Sequence, residues 1–182
     1  MRDNVWFTYK ARIQAHHRLE WMEKHSQFLL VWYALLGAIL SVFAIRSPNI
    51  LGQNTDIWGA ILSIALLGVS LVVSNLDFRG RTIAMRKNYL SLQRLVLDVS
   101  SEQQITAAQR QEYYDLLSEV ENHKEIDDKL FRVANHQTLT TRIPTRSEFW
   151  QVLFWKLRRL MIIFSLYTAP LFLVWISHEC FS

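Results

Sequence analysis

The chain has 182 residues, of which 51% are hydrophobic and 20% are charged, and its formal net charge is +4. Its single cysteine excludes a small secreted domain held together by disulfides, and its apolar content excludes a disordered tail. Charged residues are absent from three stretches and concentrated between them, which excludes an ordinary water-soluble globule. No β-strand pattern is present, so the sequence predicts an all-α integral membrane protein.

The N-terminal part of the chain is predicted to enter the membrane and return. Residues 1–25 contain neither Gly nor Pro and are predicted to form a cytoplasmic helix. Residues 26–45 and 57–76 carry no charge, and 20 residues of helix at about 1.5 Å per residue cross the roughly 30 Å hydrocarbon core. We therefore predict a transmembrane helical pair over 26–76, joined by a turn at residues 47–56 that contains Pro and Gly.

Residues 77–135 are predicted to form a cytoplasmic helical hairpin, whose first helix continues the pattern of the second span. Its apolar residues recur at intervals of 4, 3, 4 and 3, which places them on one helical face. They are Met85, Tyr89, Leu92, Val96 and Val99. Residues 100–105 interrupt this pattern, and Thr106 with Gln109 has the spacing of a capping box that begins the second helix. The apolar stripe predicted for that single second helix is Tyr113, Leu116, Val120, His123, Ile126, Leu130 and Val133.

The C-terminal part of the chain is predicted to return to the membrane. Residues 136–159 are predicted to be a linker and membrane approach, and residues 160–177 carry no charge but contain Pro170. We predict a third transmembrane helix over 160–177, kinked at the proline, followed by a tail over 178–182. The alternative for 160–177 is a helix that lies on the bilayer or packs on the other two.

The positions of lysine and arginine predict the orientation. Five precede the first span, one lies between the first two spans, 14 lie between the second and the third, and none follows the third. Positive residues remain on the cytoplasmic side of a membrane. The protein is therefore predicted to be multi-pass, with its N-terminus and residues 77–159 in the cytoplasm.

Small and polar residues recur on one face of each of the first two spans. They are Ala34, Gly37, Ser41 and Ala44 in the first span, and Gly59, Ser63, Ser70 and Ser74, with Asn75, in the second. One interpretation is close packing between helices of a single chain, because small side chains let helix backbones approach in lipid. The other is a homo-oligomer in which the serines of the second span and Asn75 line a narrow polar path. Neither span contains Asp, Glu, Lys, Arg or His, so ion-coupled active transport is not expected.

The sequence contains no phosphate-binding glycine loop, no nucleophile elbow and no zinc-protease motif. We therefore expect no catalytic residue, no metal and no cofactor. His123 with Asp127 and Asp128 has a spacing that could hold a weakly bound metal, but its place on the apolar stripe favours a core histidine. His16 and His17 are expected to point apart on a solvated face.

A cluster of basic residues follows the second span. The predicted ligand-binding residues are Arg79, Arg81, Arg86 and Lys87, together with Tyr9, Lys10 and Arg12 of the N-terminal helix. Arginine can bind phosphate bidentately and an aromatic ring can stack on a base, so one interpretation is a nucleotide or oligonucleotide site. Another is anchoring to lipid headgroups. Binding of duplex DNA is not expected, because the cations are few and interleaved with acids.

Two strings of residues carry a resemblance to a known family. The first is Trp6-Phe7-Thr8-Tyr9-Lys10-Ala11-Arg12-Ile13, followed by His16, Arg18-Leu19 and Ser26-Gln27. The second is Ser74-Asn75-Leu76-Asp77-Phe78-Arg79-Gly80-Arg81, followed by Met85-Arg86-Lys87-Asn88-Tyr89. In this order around two spans, over roughly Met1 to Ala134, the chain resembles the SLATT family of two-transmembrane effectors. The third apolar segment departs from the usual two spans of that family.

The resemblance implies a cell-killing effector of a bacterial antiphage (abortive infection) system, located in the bacterial inner membrane. It implies a homo-oligomeric ion channel gated by a nucleotide or oligonucleotide messenger from a co-encoded nucleotidyltransferase or polymerase. It does not fix whether the messenger opens or closes the pore. A non-conducting membrane scaffold that anchors a soluble partner is the alternative, and a membrane enzyme is a further class for which no residue argues.

Overall fold

The structure of the protein is a computed structural model that describes residues 2–48, 55–101 and 105–181, without the side chains at 100, 101 and 173–181. This part of the chain is helical and contains no strand, which confirms that the fold is all-α. Its helices are α1 (Arg2–Arg46), α2 (Thr55–Asn75), α3 (Phe78–Ser101), α4 (Ala107–Glu119), α5 (Glu125–Ala134) and α6 (Arg146–Phe181).

The chain divides into two compact units. The charged unit consists of Met1–Glu23 and Phe78–Lys156, and the apolar unit consists of Lys24–Asp77 and Leu157–Ser182. The boundaries follow the charge pattern of the sequence, because the predicted spans lie in one unit and most of the lysines and arginines lie in the other.

The core of the charged unit is built on α3. Met85, Leu92 and Val99 of the predicted apolar seam are buried, and the other two members of that seam are half-buried, so the seam is confirmed. Leu95 and Asn88 extend the buried face. One cluster joins this face to the start of α1 and to α4, and a second joins it to α1 about three turns further along the chain. The first contains Val5, Leu92, Leu95, Val99 and Tyr113, and the second contains Ala15, Leu19, Phe78 and Met85.

The predicted capping box at the start of α4 is confirmed. The Gln109 backbone N–H donates to Thr106 Oγ1 at 3.2 Å, and the Thr106 backbone N–H donates to Gln109 Oε1 at 3.0 Å. These two bonds satisfy backbone donors that the first turn of a helix leaves free.

The prediction of one continuous helix from this cap through Val133 is wrong. α4 ends at Glu119, Val120 is extended with φ −135° and ψ 165°, and α5 begins at Glu125. The Lys124 backbone N–H donates to Asp127 Oδ2 at 2.9 Å, which caps the start of α5. In an uninterrupted helix that N–H would be bonded to the carbonyl of Val120 and could not serve as a cap donor.

The helical pattern predicted to continue after the second span is also interrupted. α2 ends at Asn75, and a turn over Leu76 and Asp77 precedes α3. Asp77 has φ 41°, in the left-handed region that Asp tolerates better than most side chains. The second span and α3 are therefore separate helices.

The apolar unit contains the two predicted spans. α1 and the part of the chain from Thr55 to Val99, in which α2 is the apolar helix, are long and apolar enough to cross a membrane. Their large apolar side chains face outward, with Val42 67% and Ile64 70% exposed. Such exposure is compatible with lipid and incompatible with water. The predicted connection between the spans lies largely outside the described residues, at 49–54.

α6 is one helix over the predicted membrane approach and the predicted third span. It begins at a second reciprocal cap, in which the Glu148 N–H donates to Thr145 Oγ1 at 3.4 Å and the Thr145 N–H donates to Glu148 Oε2 at 2.8 Å. The predicted tail over 178–182 is helical as far as Phe181. Crossing of the membrane by residues 160–177 stays a prediction.

Candidate functional site

The predicted basic cluster is partly solvent-facing. Arg79, Arg86 and Lys87 on α3 are exposed, and none of the three forms an ion pair with a carboxylate among the described side chains. Arg81 is different, because it binds Glu121 through two of its nitrogens at 2.7 to 3.0 Å. A phosphate ligand would have to compete with that carboxylate for Arg81, whereas the other three cations are free of such competition.

Two of the predicted residues on α1 lie beside each other. Lys10 Nζ lies 4.8 Å from the centre of the Tyr9 ring and 5.6 Å from the centre of the Trp6 ring. Both distances are typical of cation–π contacts. The pair offers an ammonium group and an aromatic face on one half-buried patch.

Arg12 is in the core of the charged unit. Its side chain is fully buried and donates to Asn88 Oδ1 and to the carbonyls of Leu116, at 2.9 Å, and Leu117, at 3.1 Å. Burial lowers the pKa of Arg12 from its ordinary value, and the neighbouring Tyr113 and Glu119 oppose that shift. In this structure Arg12 joins α1 to α3 and α4, and a ligand at the surface does not reach it.

Two residues outside the predicted set complete a surface between α1 and α3. The His16 ring centre lies 5.4 Å from the Tyr89 ring centre, and His16 Nδ1 lies 3.2 Å from the Thr82 carbonyl oxygen. Burial lowers the pKa of His16, the hydrogen bond to the Thr82 carbonyl opposes that shift, and nearby Arg86 adds a smaller lowering. Burial and nearby Tyr89 raise the pKa of Tyr9. We call Tyr9, His16, Arg86 and Tyr89 the α1–α3 face.

The α1–α3 face combines aromatic rings with an exposed guanidinium. Aromatic faces accept a stacked base and a guanidinium binds a phosphate, so the set suits a nucleotide by its chemistry. Tyr89 was placed in the apolar seam from its spacing, and its hydroxyl was the sequence signal that it also borders solvent. The structure shows it half-buried.

A shallow depression lies elsewhere in the charged unit. It is lined by Arg2, Asp3, Val5, Trp6, Val96 and Val99. None of the predicted ligand-binding residues lines it, and it offers one cation beside one carboxylate.

A buried ion pair connects α1 to α5. Arg18 donates from Nε and Nη2 to the two carboxylate oxygens of Asp127, at 2.9 and 3.0 Å. Because Asp127 also accepts the Lys124 N–H, both of its oxygens are occupied by the protein. The metal site considered for His123 therefore lacks a free Asp127 ligand.

His16 and His17 come closer together than helix geometry alone predicts. Their ring nitrogens and a carboxylate oxygen of Glu20 all lie within 4.8 Å of one another. His17 Nδ1 also lies 3.7 Å from Glu20 Oε2. The three could hold a cation, but the positive charge of Arg86 beside His16 opposes one.

The small residues of the two spans lie open in the isolated chain. A Cβ atom added at Gly37 or Gly59 would meet nothing within 4 Å. The Ser41 and Ser63 hydroxyls donate to the carbonyls four residues earlier, each at 2.9 Å, and the Ser70 hydroxyl donates to the Leu67 carbonyl at 2.8 Å. Ser74 and Asn75 are exposed near the end of α2.

The chain matches a known protein family. The family model described as SMODS and SLOG-associating 2TM effector domain family 5 matches residues 1–177. The chain belongs to this family. The match extends beyond Ala134, where the resemblance based on short strings ended, and includes most of α6. No curated protein and no solved structure matches the chain.

SLATT domains are two-transmembrane effector domains, so the family and the two candidate spans together make this chain a membrane-associated effector. The domain is an effector rather than a catalytic one, in keeping with the absence of a catalytic motif from the sequence.

Proposed function

We propose that this SLATT protein is a pore-forming effector of a bacterial antiphage system. Several copies assemble in the inner membrane, with their N-termini in the cytoplasm, into an ion channel gated by a nucleotide signal from a partner enzyme. The membrane helices supply the pore, and the charged unit receives the signal.

The open small-residue face is the observation that carries the proposal. Within one chain, neither Gly37 nor Gly59 is used for close packing, although both lie on a stripe of small residues. In lipid, such stripes serve contacts between helices. A second copy is the partner available to this face. Several copies that pack through it around a common axis can enclose a narrow path, which the same face then borders.

The serines of α2 suit the lining of such a path. In the isolated chain Ser63 and Ser70 donate to backbone carbonyls of their own helix, so they need no partner to be stable in lipid. Their oxygens keep lone pairs that can accept from water or hold a cation. The path needs no charged residue, as in other passive pores.

Gating requires a ligand that binds the open and closed assemblies with unequal affinity. The α1–α3 face and the neighbouring Arg79, Lys87 and Lys10 supply the chemistry for a phosphate-bearing ligand. Arg12 is left out of the proposed site because it is buried and bound to protein groups.

The proposal is tested with the purified protein in sealed liposomes loaded with an ion-sensitive dye. The nucleotide products of the co-encoded enzyme are separated by chromatography and added one fraction at a time. We expect one fraction to switch ion flux on or off. Vesicles that stay sealed with and without every such fraction would contradict a channel.

Arg86→Ala is the sharpest test of the signal site. We expect it to abolish the response to the nucleotide while insertion and assembly are unchanged, since Arg86 is exposed and forms no ion pair among the described carboxylates. Arg110→Ala, at an exposed arginine of α4, is the matched control and should respond normally. A normal response from Arg86→Ala would move the site elsewhere.

A non-conducting scaffold is the second candidate, and an exposed ridge on α3 favours it. Ile83, Leu90 and Leu97 are 55%, 42% and 63% exposed and lie seven residues apart, so they share one face. Exposed apolar ridges of this kind bind helices of partners. The scaffold would be favoured if the protein in liposomes bound a soluble partner through this ridge and conducted no ions under any condition.

A further inference from the structure

Pro170 disturbs the backbone hydrogen bonds of α6. The residue lies inside the helix and has no N–H, so the carbonyl of Leu166, four residues earlier, loses its helical donor. The proline ring also pushes the preceding turn outward, which weakens the bonding of the next carbonyl, that of Tyr167. In lipid no water can replace these donors.

Two consecutive residues of α1 donate to these two carbonyls. Tyr33 Oη donates to the Leu166 oxygen at 2.7 Å, and Trp32 Nε1 donates to the Tyr167 oxygen at 3.3 Å. The Tyr167 ring also packs against the ring of Phe28, with centres 6.0 Å apart. The apolar unit thus satisfies the backbone at the proline with side chains of another helix.

The register of the contact fits two parallel spans. Tyr33 is the eighth residue of the stretch 26–45 and Leu166 is the seventh of 160–177, so the two lie about 10 Å and about 9 Å beyond the starts of their stretches. Both stretches follow basic residues, which remain on the same side of the membrane. A helix lying along the bilayer surface would have no reason to meet α1 at matching depth.

We propose that α6 crosses the membrane as a third helix parallel to α1. Tyr33 and Trp32 hold it there by donating to the two carbonyls whose helical hydrogen bonds Pro170 removes or weakens. We call these three residues, together with Leu166 and Tyr167, the proline latch. The latch adds a span to the two that the family description names, and it is independent of whether the assembly conducts.

The third span is tested by labelling thiols from one side of sealed membranes. An odd number of spans places residues near the two ends of the chain on opposite sides, and two spans place them on the same side. The probes are native Cys180 and, in a Cys180→Ser chain, His17→Cys at an exposed position. A membrane-impermeant maleimide applied before and after lysis reports the side of each.

We expect one of the two thiols to react in sealed membranes and the other only after lysis. Reaction of both, or of neither, before lysis would overturn the third span. If Cys180 fails to react even after lysis, Ser182→Cys in the Cys180→Ser chain moves the thiol two residues along, and the same comparison decides the question.

The latch itself is tested by a double-mutant cycle in mixed detergent micelles. Tyr33→Phe removes one hydroxyl and is expected to raise the unfolding equilibrium constant about fivefold, the effect of one net hydrogen bond. Pro170→Ala restores an N–H for the Leu166 carbonyl. In that background Tyr33→Phe should change the constant less than about twofold, because the carbonyl has regained its helical donor.

Phe28→Leu is the matched control, since Phe28 packs on α6 without donating to it. Its effect should be the same in both backgrounds. Equal effects of Tyr33→Phe with and without the proline, or no effect with the proline present, would show that Tyr33 only packs and would overturn the latch.

Discussion

Buried charged side chains connect the helices of the charged unit. Arg18 and Asp127 are 7% and 0% exposed and are joined by two hydrogen bonds. A buried pair of this kind contributes little relative to apolar residues of the same volume, but removal of one partner leaves an unpaired buried charge. The pair therefore fixes which face of α1 meets α5.

We expect Asp127→Ala to lower the free energy of unfolding by about 3 kcal/mol, because Arg18 is left buried without a partner and α5 loses its cap. The matched control is Glu121→Ala, whose ion pair with Arg81 is exposed and should cost less than about 1 kcal/mol. Equilibrium denaturation of the detergent-solubilised chain measures both. Equal losses from the two variants would mean that the buried pair has no special role.

His123 should make stability depend on pH. Burial lowers its pKa from 6.5, nearby Arg12 lowers it further, and Asp127 and Asp128 oppose the shift; its Nδ1 atom has no hydrogen-bond partner in the described structure. Because the unfolded chain takes up the proton first, the stability contribution is present above about pH 6.5 and is lost as the pH falls through 6.5 towards the folded-state pKa. We expect His123→Gln to reduce the fall in thermal midpoint between pH 7 and pH 5, and an unchanged fall would contradict this role.

The part of the site that could not be predicted follows from burial. Arg12 was placed in a ligand site because its type and neighbours suit phosphate, yet it lies seven residues from both Val5 and Leu19, which are buried on the same face of α1. Seven-residue spacing was the signal for its burial. Which carbonyls it would meet depends on α4, whose position relative to α1 no local pattern contains.

For individual helices, features that depend on nearby residues could be predicted from the sequence, and features that depend on distant residues could not. The seam of α3 and the cap of α4 follow from spacing and side-chain type within a few residues, and both were predicted. The break between α4 and α5 depends on a carboxylate held by Arg18, 109 residues away. Three acidic residues in the first turn of α5, Glu125, Asp127 and Asp128, were the local sign of a helix start.

The small-residue faces of α1 and α2 should govern association rather than folding. Gly59→Leu adds a side chain into open space, so we expect the single chain to fold normally and the oligomer to be lost. Gly68→Leu is the matched control, since Gly68 is equally open but lies on nearly the opposite face of α2. Cross-linking in membranes and particle mass in detergent measure the difference.

If Gly59→Leu and Gly68→Leu assembled alike, the small-residue face would have no part in association.

For the whole molecule, we propose that the apolar unit conducts ions and that the charged unit receives the signal. Hydropathy and charge were sufficient to place the two spans in sequence, because a bilayer imposes a length and excludes charge. Assembly involves several copies. In a single chain its only sign is which membrane-facing residues remain without a packing partner.

The most direct test is access of water to α2 in an open assembly. In a Cys180→Ser chain we introduce Ser63→Cys on the proposed pore face and, as a matched control, Ile61→Cys on nearly the opposite face, where Ile61 is 48% exposed. Single-channel current is recorded across a planar bilayer while a water-soluble thiol reagent is added. We predict stepwise block of the Ser63→Cys channel and no block of the Ile61→Cys channel. Equal block of both channels, or a Ser63→Cys current that the reagent leaves unchanged, would contradict a pore lined by this face.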